Sequence, residues 1–310
     1  MIEALDHPAR RLLVIAIRIG IIAWLAIVLL AAPACDTAAG GLAPEGLAPP
    51  DGIDPKDPKI ERSTFAVDVT GINTIRVDIP TGRVSISQSA GEATLRVTEI
   101  ILKEGLNNEA LTTTHSQSSI IAERSFVDHS RLDIESSIAN GLNTTDIAFD
   151  ISLVIPAGAN IEVFMDNGPV AVSDLVGDVE INTHNGAVTV RSIVGDVVAK
   201  TTNRPIEAVD LLGNLDAQTT DADVDMRLTP PSGGHVIAST TEGAVRLTVP
   251  KTTAAALQLT ASGGAIAADL NGFVLTGVST GDGLLKAVLN SGGGQIEVST
   301  SNNIIEFAGM

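Results

Sequence analysis

The side chains best placed to do chemistry in this sequence are carboxylates. Asp178 and Asp196 occupy the same position in two copies of one short segment, Val176-Gly177-Asp178-Val179 and Val194-Gly195-Asp196-Val197. If the copies lie side by side as neighbouring strands, the two carboxylates come within about 5 Å of each other. Like charges at that spacing repel unless water or a cation lies between them. Asp221, Asp223 and Asp225 alternate along the chain and would share one outward strand face. Hard oxygen ligands of this kind suit Ca²⁺, so Asp178, Asp196, Asp221 and Asp223 are the calcium candidates. The stronger reading is a solvated acidic face without a metal.

Other chemistries lack their residues. The five histidines (His7, His115, His129, His184 and His235) form no HxH or HExxH pattern, and His184 reads as a solvated neighbour of the Asn185-Gly186 turn. There is no GxxxxGK[ST] phosphate loop. Ser262-Gly263-Gly264 and Ser291-Gly292-Gly293-Gly294 are Gly-rich but lack a following lysine, and read as turns. No catalytic residue and no cofactor is expected. With 19 Lys+Arg against 37 Asp+Glu the net charge is −18, which repels phosphate backbones and makes nucleic acid an unsuitable partner. One Trp, six Phe and no Tyr leave too few rings for an aromatic stacking shelf.

The single cysteine excludes an intramolecular disulfide and points to a different chemistry. Residues 1–18 carry a net positive charge, Ile19–Ala32 is an apolar run of signal-peptide length, and Ala32-Pro33-Ala34 places small residues before Cys35. A lone Cys in that position resembles the lipobox of bacterial lipoproteins, with Ala32 and Pro33 standing where Leu and Ser or Ala are usual. The resemblance implies a diacylglyceryl group on the Cys35 thiol and cleavage that leaves Cys35 as the first residue. Residues 1–34 are then a signal peptide. Simple secretion and an uncleaved anchor beginning near Leu12 are the alternatives. Asp36 resembles an inner-membrane retention signal of enteric bacteria. Residues 35–62, with five prolines and the duplicated Gly-Leu-Ala-Pro, read as a semi-extended linker.

What must position any site is a repeat. From about residue 159 turn pairs recur every 18 residues (Asn167-Gly168, Asn185-Gly186, Asn203-Arg204, Asp221-Ala222), then every 21 (Glu242-Gly243, Gly263-Gly264). Two residues after each pair stands an aliphatic: Val170, Val188, Ile206, Val224, Val245, Ile266. The same register before the pairs holds Ile161, Val179, Val197, Leu215, Val236 and Leu257, and a threonine row runs through Thr183, Thr201, Thr219 and Thr240. Alternation within each unit predicts a half-buried strand, and Asn-Gly and Gly-Asp predict corners. The fold class is therefore all-β: a single-stranded parallel β-solenoid with 18–21-residue coils, regular over about 159–298, within one domain of residues 63–310. Pro230–Gly234 is expected to bulge from a corner, the stretch from Asn271 to Gly294 to break the period, and residues 299–310 to cover the open end. Strands are also expected at 64–70, 74–79, 83–88, 94–103, 118–124, 131–138 and 146–155, either as a broader start of the solenoid or as an antiparallel sheet packed on it. Asn107–Thr114 is a short helical turn or a loop.

Leu175–Val190 and Ser239–Pro250 resemble the bacterial putative-adhesin family, whose members have a β-helical body and no established catalytic residues. Asn203-Arg204-Pro205 and Asp221-Ala222 depart from its Asn-Gly corner. The resemblance covers roughly 70–298; together with the lipobox-like Cys35 it implies a non-catalytic, lipid-tethered envelope protein that presents its surface to a protein or envelope polymer, on the periplasmic or outer face of the membrane. The runner-up is a self-assembling envelope scaffold, which an uncovered apolar end would favour. A polysaccharide-active β-helical enzyme ranks last, because it needs a cleft with aromatic subsites, and the repeats have short corners, few basic residues and no Trp or Tyr.

Overall fold

A computed structural model of the chain describes residues 60–89, 94–103, 118–124, 130–138 and 147–310, all inside one compact unit spanning Asp54–Met310. Cys35, the signal peptide, nearly all of the linker and Asn107–Thr114 lie outside the described residues. Among those described the structure is all-β and mostly parallel. The first six strands are β1 (Ile60–Asp68), β2 (Thr74–Gln88), β3 (Thr94–Lys103), β4 (Ser118–Arg124), β5 (Arg131–Ile138) and β6 (Ile147–Ile155). The repeat region supplies β7 (Asn160–Asn167), β8 (Val170–Val176), β9 (Val179–Asn185), β10 (Val188–Val194), β11 (Val197–Lys200), β12 (Ile206–Leu212), β13 (Leu215–Gln218), β14 (Val224–Thr229), β15 (His235–Ser239), β16 (Val245–Val249), β17 (Ala255–Ala261) and β18 (Ile266–Asp269). Last come β19 (Leu275–Gly281), β20 (Leu284–Leu289), β21 (Gly294–Thr300) and β22 (Ile305–Gly309).

The 18-residue spacing becomes strand register. Val179 pairs with Val197, Val197 with Leu215 and Leu215 with Val236 along one parallel ladder. Val170 pairs with Val188, Val188 with Ile206 and Ile206 with Val224 along a second. All of these side chains are at most 2% exposed, so like residues pile into continuous internal columns. The burial of each column is what holds the units together, since a single unit has too few inward side chains to be stable alone.

Alternation is interrupted in three consecutive units. Asp174, Ser192 and Asp210 have φ of 55°, 55° and 57°, a left-handed conformation that short polar residues tolerate. Each one resets the strand so that Leu175, Ile193 and Leu211 turn inward while Val176, Val194 and Leu212 turn out. The buried threonines serve the corners: Thr201 donates to the Gly186 carbonyl (2.9 Å), Thr219 to Arg204 (3.1 Å) and Thr240 to Ala222 (3.0 Å). Thr183 has a buried hydroxyl with no partner.

Both ends depart from sequential stacking. The expected direct stacking of Leu257 on Val236 and Ile266 on Val245 does not occur. Ile296 lies between the first two and Ile305 between the second, because β21 and β22 are inserted between β15–β16 and β17–β18. Residues 299–310 therefore do not cover the end of the stack; they run through its interior. The cover on that ladder is β20, antiparallel to β17, with β19 beyond it, formed by the stretch that breaks the period. Pro231, Ser232 and Gly233 do project into solvent at their corner.

The opposite end follows the same plan. β2 is one strand, not two, bent at Gly82, where a Cβ would lie 2.0 Å from the Phe149 carbonyl oxygen. Its first half pairs with β5 and β7 and its second half with β6 and β8, so it is sandwiched between segments that follow it in the chain. β3 and β4 then lie antiparallel on β6 and β5, and β1 on β3. β1 begins at Ile60, inside the stretch read as linker. Antiparallel strands at the ends use up ladder edges that would otherwise invite pairing with other chains.

Candidate functional site

The Gly-Asp corner brings together two of the predicted carboxylates and shows what they do. Asp178 Oδ1 accepts the Asp196 backbone N–H (2.9 Å), and Asp196 Oδ1 accepts that of Asn214 (3.0 Å). Asn160 Oδ1 does the same for Asp178 (3.0 Å), and Asn214 Oδ1 for His235 (2.8 Å). Each side chain satisfies the amide of the next unit where the chain turns, so the row is a hydrogen-bonded ladder running along the stack. Among the described residues, no group of three or more His, Cys, Asp or Glu is arranged to hold a metal ion.

Asp196 also accepts the Asn214 side-chain amide at 3.0 Å on both oxygens. Those bonds, more than the backbone one, hold its carboxyl below the ordinary value of 3.8. The folded state therefore binds this proton less readily than the unfolded chain. The stabilisation is present above the ordinary carboxylate range and is lost as pH falls through the folded pKa. In urea titrations, the gap between wild type and Asp196→Asn should be open at pH 7 and close below pH ~3.8. A gap that does not change with pH would remove this role.

Asp221 and Asp223 belong to the other corner and do not join Asp178 and Asp196. Asp221 lies in the turn before β14, not on the strand, and its N–H donates to Thr202. Asp223 Oδ1 accepts the Ala244 N–H (2.8 Å), while its Oδ2 pairs with Arg246 Nη1 (3.1 Å). Arg246 also contacts Asp225 (3.2 Å) and Glu306 (3.2 Å), and its bonds to Asp223 and then Asp225 raise its already high pKa further. Arg246 and Glu306 were not legible as partners in the sequence, since they lie 60 residues apart and meet only because β22 is inserted beside β16. Asn214 was legible: Leu212-Gly213-Asn214 repeats the Gly-Asp corner.

A second side-chain ladder runs along the Asn-Gly corner, where Asn185 donates to Asn167 (2.8 Å) and Asn203 to Asn185. His184 is exposed and meets Thr202 Oγ1 through Nδ1 at 3.1 Å. Gly263 and Gly264 sit at a corner against Ser301 and Asn303, as turn residues should.

The outer surface is thus built from rows. On one strand face Arg191–Glu207 and Arg227–Asp210 (2.7 Å) flank an open groove of ≈ 540 Å³ that also holds Asp225 and Arg246. Exposed pairs of this kind stabilise by at most about 1 kcal/mol each and leave hydrogen-bonding capacity facing water. At the strand ends Val176, Val194 and Leu212, paired in register, form an aliphatic row of half-exposed side chains. This row is invisible to a strict alternation of inward and outward residues, because the left-handed residue two positions earlier creates it.

No protein-family model matches this chain, and no curated protein matches it significantly. Solved structures similar to it include a putative cell adhesion protein from Clostridium sporogenes, 13% identical with a TM-score of 0.34, where the match covers 81% of this chain and 100% of that one. A putative adhesin from Parabacteroides merdae is 9% identical with a TM-score of 0.35, over 80% of this chain and 96% of that one. A putative adhesin from Bacteroides fragilis is 12% identical with a TM-score of 0.28, over 81% and 97%.

Proposed function

We propose that this protein is a non-catalytic, adhesin-like β-solenoid of the bacterial cell envelope, tethered through a lipid on Cys35, whose outer surface binds a protein or envelope polymer. The observation that carries this reading is how the charged residues are used. Asp178, Asp196 and Asp223 hold backbone amides of neighbouring units, and Arg246 gathers three carboxylates, so these groups serve the stack. What faces outward is a set of regular rows, including the aliphatic row of Val176, Val194 and Leu212. Exposed aliphatic side chains contiguous along a surface commonly mark a contact site. The antiparallel strands β20 and β4, each covering the end of a ladder, weigh against the scaffold reading, which needs an open apolar end.

Pull-down from envelope fractions, combined with intact-mass analysis of the N-terminus, tests both parts. Cells should yield a chain beginning at a diacylated Cys35 in the membrane fraction, and Cys35→Ser should move it to the soluble fraction, since stable anchoring needs the acyl chains. Val194→Asp, at a solvated position, should leave the fold intact and abolish capture of the partner seen with wild type. Undiminished capture by Val194→Asp would discard the aliphatic row as the contact. A membrane-bound Cys35→Ser protein would discard the lipid.

A further inference from the structure

We infer that the β21–β22 pair is an exchangeable insert, and that the slot it occupies can be filled by the same pair from a second copy of this chain, giving a reciprocal strand-exchanged dimer. Three observations on this part of the stack lead there. The first is the register of its neighbours. Ile296 is paired with both Val236 and Leu257, and Ile305 with both Val245 and Ile266. The flanking units are therefore 21 residues apart in equivalent positions, the step already used between Asp221-Ala222 and Glu242-Gly243. When the pair leaves, β17–β18 can close directly onto β15–β16 with Leu257 over Val236 and Ile266 over Val245. The displaced state is a shorter stack with its ladders still closed, which lowers the cost of leaving.

The second is the hinge. Only Asn290–Gly293 connects β20 to β21, and three of these four residues have positive φ: Asn290 at 54°, Gly292 at 71° and Gly293 at 112°. A short loop held in tight turns gains freedom when it extends between two molecules, and such loops favour exchange. The third is the latch. The Asn290 side-chain amide donates to the carbonyls of Lys251 (3.0 Å) and Thr253 (2.6 Å), and its Oδ1 accepts the Val274 N–H (3.1 Å). One side chain thus ties the hinge to the β16–β17 connection that must move when the slot opens. The other inserted strand, β2, has no such equivalence: its neighbours Leu132 and Ile161 are not separated by a repeat step. In the exchanged dimer each pair makes the same contacts in its partner's slot, and only the hinge changes conformation.

The test uses the full chain carrying Cys35→Ser, with one added cysteine per copy. Gln258→Cys and Glu297→Cys are register partners on the outward side of β17 and β21, whereas Gln258→Cys and Lys286→Cys are partners on β17 and β20, which stay in one molecule. Equal mixtures are refolded together from denaturant at low and high concentration, oxidised, and separated on non-reducing gels. The expected result is a 258–297 disulfide between copies that grows with concentration, and severalfold less 258–286 disulfide. Adding Asn290→Ala should raise the 258–297 dimer severalfold. A 258–297 product no more abundant than 258–286 at high concentration overturns the inference, as does an Asn290→Ala protein that folds without any gain in dimer.

Discussion

Replacing Leu215 by alanine is expected to lower the unfolding free energy by about 2–5 kcal/mol, the range for a leucine lost from a core that relaxes only in part. Leu215 is 0% exposed and is stacked between Val197 and Val236 in one internal column. Its strand β13 has four residues and contributes two inward side chains, Leu215 and Ala217. Little else in that strand can fill the space. The measurement is urea-induced unfolding followed by circular dichroism, with Leu285→Ala as the comparison. Leu285 is only partly buried, on the covering strand β20, and should cost clearly less. Equal losses at the two positions would mean that the central columns do not carry the stability of the stack.

The second large effect is steric. A Cβ added at Gly168 would lie 1.7 Å from the carbonyl oxygen of Gly82, a backbone atom that no side-chain rotation can move. Gly168 has φ of 118° and stands at the corner between β7 and β8, where the chain passes directly over the corner of β2. Gly168→Ala should push these two units apart and break the pairing of Val84 with Val170. Gly158 separates this effect from turn conformation. Its φ is 86°, but nothing lies within 4 Å of the added atom, so Gly158→Ala should cost only the left-handed penalty of about 1–2 kcal/mol. Thermal unfolding of both variants checks the comparison, with Gly168→Ala expected to lose severalfold more. Similar losses would show that these corner glycines are needed for their φ alone, not for close approach between units.

The same residues show how far the sequence could be read. Repeated turn pairs and aliphatics two positions later identified the columns from Ile161 to Val236 and from Val170 to Val245, because stacking parallel strands converts a fixed spacing in sequence into contact in space. The corner carboxylates were found by the same logic, as an acidic face with calcium as the weaker reading. Their hydrogen bonds appear only once the backbone is placed, when Oδ1 of each aspartate is seen to accept an amide of the next unit. A cue to the insertion was also present. The threonine row passes from Thr240 to Ala261 along the chain, whereas Thr300 donates to the Gly243 carbonyl (2.9 Å) and continues the row in space.

Local chemistry is written residue by residue, so the sequence alone determined the strand class, the corners, the inward columns and the short-range spacing of the repeats. The order in which units stack is a different matter. β15 and β17 present equivalent faces to Ile296, so the pattern of side chains accepts either direct contact or an intervening strand pair. Only the tertiary structure decides between them. The insert is favoured because it adds buried columns and two more rows of backbone hydrogen bonds, while the hairpin of β19 and β20 then covers one of the ladder ends that remains.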